Sequence, residues 1–263
     1  DDGRIDLEKL KATIDNQTVL VSIMYANNEI GTVQPIKDIA RLISEERDNR
    51  RKAGNKTPIY LHTDACQAGN YLDLHVSRLG VDLMTINGGK IYGPKQSAVL
   101  YVKAGVDLQP IITGGGQERN LRSGTENIAA AVGFARALDL VQTDRHDEAA
   151  RLQKIQAESL ALIAQKLPSA LVNGSTRFRL PNNIHLTLPG QDNERLLIQL
   201  DEAGIMAAAG SACSASDEDP SHVLRAIGLS DEDAQASIRL TMGRQTTAEM
   251  LGATIDKLAE LIS

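Results

Sequence analysis

Cysteine is scarce in this sequence. Cys66 and Cys213 are the only two, and they form neither a CxxC pair nor the repeated spacing of a zinc site or disulfide framework, so each reads as a thiol. No apolar run approaches the roughly 20 residues that cross a bilayer. The first residues, Asp1-Asp2-Gly3-Arg4, do not begin a signal peptide. The expectation is a soluble cytoplasmic protein with no membrane partner. Blocks of like charge are also missing: 28 basic and 34 acidic residues, a formal net charge of -6, are spread along the chain, which argues against a nucleic-acid surface. There is no initiator methionine, and the chain enters at once on an acidic stretch followed by Ile5-Asp6-Leu7-Glu8-Lys9-Leu10, as a chain starting partway through a longer fold would. Repeats and low-complexity tracts are absent, and 263 residues suffice for one large α/β unit or two domains.

What is present first is an alternation of apolar strands with turns and helices. Thr18 to Tyr25 reads as a buried strand closed by Asn27-Asn28. A helix follows from Pro35, which suits a first turn, with Ile36, Ile39, Ala40 and Ile43 spaced as one apolar stripe. Further strands read at Ile59 to Thr63, Val81 to Ile86 and Ala98 to Val102, giving a largely parallel sheet with active groups at strand ends. From Glu126 to about Leu167 the sequence turns helical, weakest at Thr143-Asp144, as a connector into a second domain. That domain carries a strand near Asn183 to Leu188, a helix from about Asn193 to Ala203, a Gly/Ser/Ala-rich loop around Cys213 and a last helix. For the last helix, Thr246 and Glu249 fit a capping box, and Leu251, Ile255, Leu258 and Ile262 make an apolar face.

Four stretches bear residues suited to chemistry. In His62-Thr63-Asp64-Ala65-Cys66-Gln67 a carboxylate stands at the end of a strand read as buried, where it either caps the next helix or meets a cation such as a protonated pyridine nitrogen. In Asn87-Gly88-Gly89-Lys90-Ile91-Tyr92-Gly93-Pro94-Lys95 a lysine follows a strand in a glycine turn that lets a bulky group approach the backbone. Lys90 is either solvated or a Schiff-base residue. Gly114 to Thr125 offers glycines, hydroxyls and arginines, which suit an oxyanion and equally suit a plain turn before a helix. Ala209 to Pro220 is a small-residue loop with one thiol, Cys213, an unusual place for a free cysteine unless it reacts.

Taken in this order, the four stretches resemble the cysteine desulfurases of the NifS and IscS group, in the class V aminotransferase family of fold-type I pyridoxal-phosphate (PLP) enzymes. The resemblance runs from Asn27-Asn28-Glu29-Ile30-Gly31 through Val223 to Leu229 and on to Ser237-Ile238-Arg239. It implies an α/β fold, with residues 1–140 forming the carboxy-terminal part of a mainly parallel, PLP-binding large domain that lacks its amino-terminal segment. Residues 141–263 would form a smaller α+β domain with the cysteine loop.

By resemblance Lys90 carries pyridoxal 5'-phosphate and then moves the substrate's α-proton, Asp64 pairs with the pyridine nitrogen and Gln67 bonds the phenolic oxygen. Asn28 orients the substrate near that oxygen, Arg239 holds its carboxylate in a bidentate pair, and Cys213 attacks its sulfur. Thr125 resembles the residue that reaches the phosphate of the neighbouring subunit's cofactor, which implies a homodimer with shared sites. L-Cysteine would become L-alanine, leaving a persulfide on Cys213 for a scaffold or acceptor protein that serves iron-sulfur clusters or thiolation. A selenocysteine lyase-like enzyme is one alternative, and a catalytically impaired relative or fragment that serves in dimerisation or sulfur relay is another. The sequence departs from the family where a serine and a histidine usually help hold the phosphate: Asn87 and Gly89 stand in their places. Asn87 can still donate to a phosphate, whereas Gly89 offers only backbone.

Overall fold

The computed structural model describes residues 2–210 and 220–262. Residues 211–219, the part of the expected loop that carries Cys213, lie outside the described residues. The chain forms two compact units, one of residues 6–25 and 35–144 and the other of residues 1–5, 26–34 and 145–263.

The first unit opens with α1 (Leu7–Thr13), whose cap Asp6 accepts from the backbone of Glu8 and Lys9. Its sheet contains β1 (Leu20–Met24), β2 (Tyr60–Asp64), β3 (Leu83–Asn87) and β4 (Ala98–Val102) in that spatial order. The pairs β1/β2 and β2/β3 are parallel, and β3/β4 is antiparallel. The mainly parallel reading therefore holds, with one edge hairpin added. The return from β3 to β4 takes ten residues, short for the helical crossover a parallel pair needs. Between β1 and β2 runs α2 (Ile36–Lys52), which buries Ile36, Ile39 and Ile43, three members of the expected stripe, while Ala40 is half-buried. It packs on β2. A short α3 (Val76–Leu79) precedes β3 and stops at Gly80, whose φ of 76° is a left-handed cap that glycine adopts without strain.

The connecting helix α4 (Ile128–Lys166) is one unbroken helix of 39 residues, and the boundary between the units falls inside it, between Asp144 and Arg145.

The second unit has a three-stranded antiparallel sheet of β5 (Leu171–Val172), β6 (Asn183–Thr187) and, beyond α5 (Asn193–Glu202), α6 (His222–Ala226) and α7 (Asp231–Gln235), β7 (Ser237–Thr241). All five residues of β6 are buried. Ile184 and Leu186 face one way, and Asn183, His185 and Thr187 face the other, by the period of two. The closing helix α8 (Ala248–Ile262) buries Leu251, Ile255 and Leu258 and packs against α5. Its start differs from the expected capping box. Thr247 Oγ1 accepts from Met250 N at 3.3 Å, whereas Thr246 Oγ1 is taken by Gly243 N at 2.9 Å. Adjacent threonines at a helix start are equivalent in pattern, and the tight turn from Gly243 decides between them.

Candidate active site

In the first unit the chemistry gathers at the carboxyl ends of β2 and β3. One face of this sheet carries Ser22, Met24, His62 and Asp64 on β1 and β2, and Thr85 and Asn87 on β3, as the register pairs Ser22 with His62, Met24 with Asp64 and Asp64 with Thr85. A row of polar bonds crosses it: Ser22 Oγ lies 2.8 Å from His62 Nδ1, and His62 Nε2 lies 2.9 Å from Thr85 Oγ1. Burial holds His62 below the ordinary histidine range, while the Asp64 carboxylate pulls the other way.

Asp64 is exposed at the strand end rather than buried. It makes the local turn that the capping alternative implied, but to a turn and not a helix: Cys66 N donates to Asp64 Oδ1 at 2.9 Å. Because β2 stops there, its carboxylate faces outward, and the expectation of a charge forced to find a cation inside the protein does not apply.

Lys90 ends a 3-10 turn, Gly88–Lys90, directly after β3. Gly88 is buried there. A Cβ on it would sit 2.0 Å from Ser97 Oγ, and its carbonyl accepts from both Ile91 N and Gly93 N. Asn70 Nδ2 holds the Lys90 carbonyl at 2.8 Å. The backbone is thus fixed from two sides and the exposed side chain is free to serve a ligand. Gly89 is exposed, and a Cβ there would meet only the Asn87 side chain closely, at 3.2 Å, so the space for a side chain exists although the sequence leaves it unfilled.

Cys66 reports how these groups converge. Its half-buried thiol is pushed up to about 12, first by burial, then by the hydrogen bond and charge of Asp64, with the Asn87 backbone and the Lys90 ammonium acting in opposition. One thiol therefore feels the carboxylate and the amine together. Gln67 follows in the same turn, half-buried. An amine to bond an aldehyde, a carboxylate to face a ring nitrogen and the amides of Gln67 and Asn87 form a donor set whose chemistry fits pyridoxal phosphate. Thr125 is exposed in the segment before α4 and shares no hydrogen bond with Asp64, Gln67 or Lys90 among the described residues.

In the second unit Arg239 of β7 donates from Nη1 to the Asn28 carbonyl at 2.8 Å, so the two candidate substrate residues meet. The backbone of Arg239 bonds that of Ala208 in both directions, at 2.6 and 3.2 Å. Two residues here escaped sequence reasoning. Glu29, only 2% exposed, accepts from Ser221 Oγ at 2.6 Å, and a Cβ on Gly210 would lie 3.1 Å from its Oε2. His185 is fully buried on the polar face of β6. Nothing in a five-residue strand pattern says which face meets polar neighbours, so His185 carried no signal, and Glu29, in the turn after Asn28, stood out only as part of the stretch that resembles the family.

Similarity to known proteins extends over nearly the whole chain. The aminotransferase class-V family pattern matches residues 1–253. The cysteine desulfurase IscS of Clostridium botulinum strain Hall is 39% identical across 100% of this chain and 64% of its own length. Cysteine desulfurase IscS 1 of Archaeoglobus fulgidus is 41% identical across 99% of this chain and 64% of its own. Among solved structures, the NifS-like protein from Rickettsia africae ESF-5 superposes with a TM-score of 0.86 at 30% identity, covering 99% of this chain and 67% of that one. The chain thus spans about 64% of the length of the curated relatives it matches. No helix among the described residues is long and apolar enough to cross a membrane. The strand ends that present Lys90 and Asp64 belong to the PLP-dependent transferase fold of type I, and the chain belongs to the aminotransferase class-V family.

Proposed function

We propose that the protein is a PLP-dependent cysteine desulfurase that converts L-cysteine to L-alanine and leaves the sulfur as a persulfide on Cys213. The observation that carries this reading is the placement of Asp64 and Lys90 at the carboxyl ends of the adjacent parallel strands β2 and β3. The likeness to desulfurases of 39 to 41% identity supports it.

Bound pyridoxal phosphate supplies an electron sink that makes the substrate's α-proton acidic. Lys90 holds that group and then moves the proton at the substrate's α-carbon. Asp64, exposed at its strand end, pairs with the ring nitrogen, and Gln67 donates to the phenolic oxygen. Asn87 donates to the phosphate in place of the usual serine, and Thr125 serves the phosphate of a second copy in a cytoplasmic homodimer. Arg239, braced on the Asn28 carbonyl, holds the substrate carboxylate, and Asn28 orients the substrate. The Cys213 thiolate attacks the sulfur of L-cysteine. The carbon-sulfur bond breaks, its electron pair stays on carbon and is protonated to give alanine, and the sulfur remains on Cys213 for a scaffold or acceptor serving iron-sulfur clusters or thiolation.

The test is alanine release from L-cysteine by purified protein with pyridoxal phosphate. Cys213→Ala abolishes release and Lys90→Ala removes the yellow absorbance of lysine-bound cofactor. Undiminished alanine from Cys213→Ala defeats the persulfide route, and a colourless wild-type protein with added cofactor defeats the reading as a whole.

A further inference from the structure

The polar face of the second unit's sheet holds a hydrogen-bond chain whose direction can be read from its end. Ser237 Oγ donates to the Asp233 carbonyl at 2.7 Å, so its lone pair is left to accept from Thr187 Oγ1 at 2.7 Å. Thr187 in turn accepts from Asn173 Nδ2 at 2.8 Å. The second hydrogen of that amide nitrogen points to His185 Nδ1, 3.0 Å away. Nδ1 is therefore an acceptor and the neutral imidazole carries its proton on Nε2. That nitrogen is buried and has no hydrogen-bond partner.

The surroundings make this open donor unusual. His185 pairs with Arg239 in the β6/β7 register, and the guanidiniums of both Arg179 and Arg239 bear on its ring. Arg179 is itself buried, and among the described residues its guanidinium donates to the carbonyls of Ser175 and Asn173 and to Oδ1 of Asn183, all neutral oxygens. A buried N–H that has no partner among the described residues and lies beside two cations is an arrangement that an incoming anion satisfies. Arg239, the register partner of His185 on β7, is the partly exposed side chain next to this fully buried ring.

We infer that His185 is a second carboxylate-recognition residue, whose Nε2–H donates to an oxygen of the amino-acid substrate held by Arg239. This rests on the assignment of Arg239 to the substrate carboxylate. A neutral donor beside a guanidinium adds direction without adding charge, and its loss weakens binding of the carboxylate without touching the bonds made and broken at sulfur.

The cofactor-loaded wild-type protein, labelled with ¹⁵N-histidine, is titrated with L-alanine and separately with L-alaninamide. The Nε2–H signal of His185 shifts with the carboxylate and not with the amide. In the cofactor-loaded enzyme, His185→Phe raises KM for L-cysteine about tenfold, with kcat within about twofold. His185→Gln, which can place an N–H near the same point, restores KM. No shift with L-alanine, or an equal shift with L-alaninamide, overturns the inference, as does an unchanged KM in His185→Phe when Arg239→Lys raises it. If Arg239→Lys leaves KM unchanged, the underlying assignment of Arg239 falls instead.

Discussion

Cys66 is shielded by its surroundings. Burial and the adjacent Asp64 carboxylate push Cys66 up to about 12, so at pH 8 its thiolate fraction is on the order of one in ten thousand. Iodoacetamide at pH 8 is expected to label the native protein at Cys213, with Cys66→Ser leaving the extent of labelling unchanged; peptide mass mapping checks this. His185 makes a separate prediction. Burial first, then Arg179 and Arg239, lower it to about 3 from an unfolded value near 6.5. A depressed folded value means that the unfolded chain takes the proton first as pH falls. The stability is therefore fully present above about 6.5 and is lost progressively down to about 3. Urea midpoints measured from pH 7 to pH 4 should fall, and less steeply in His185→Gln. At Gly89 the space beside Asn87 predicts that Gly89→His folds with a stability within about 0.5 kcal/mol of wild type. It should also release cofactor more slowly on gel filtration, because an imidazole returns beside the proposed phosphate position.

Helix α2 is held by more than its isoleucine stripe. Arg50, 3% exposed, donates to the carbonyls of Asp15, Thr18, Thr57 and Pro58 and to Glu46. One guanidinium thus fastens the end of the helix to the loops that enter β1 and β2, the strands that position Ser22, His62 and Asp64. Removing it leaves several carbonyls without a donor and a buried space behind. Arg50→Ala should cost about 2 to 4 kcal/mol in chemical denaturation. Arg50→Lys should recover little of it, since an ammonium cannot span the same set of oxygens. The isoleucine spacing made α2 legible, but Arg50 looked like any other residue of a basic helix end. Its burial depends on loops that come together only in the folded sheet.

For the molecule as a whole, cofactor and stability are coupled. A group that binds only the folded state raises stability by about 2.7 kcal/mol at a hundredfold excess over its dissociation constant. Thermal unfolding with pyridoxal phosphate should shift upward in wild type and remain at the cofactor-free value in Lys90→Ala, and an equal shift in both would place the cofactor elsewhere.

The sequence by itself determined the four strands of the first sheet, the long helices, the strand at Asn183 and the family, because apolar runs, apolar stripes and the surroundings of Lys90, Asp64 and Arg239 are written in neighbouring positions; the short elements α1, α3, β5, α6 and α7 and the exposure of β1 were not legible there. It placed the cap of α8 one residue early and read Asp64 as buried, because a strand's last residue is covered or exposed according to what packs over it. Only the tertiary structure decided that residues 26–34 belong with the carboxy-terminal unit, that Glu29 and His185 are buried polar groups, and that the Asn173, Thr187 and Ser237 chain leaves a donor open beside Arg239. Those facts depend on contacts between residues tens to nearly two hundred positions apart, and a burial or a hydrogen-bond direction exists only once such residues are packed together.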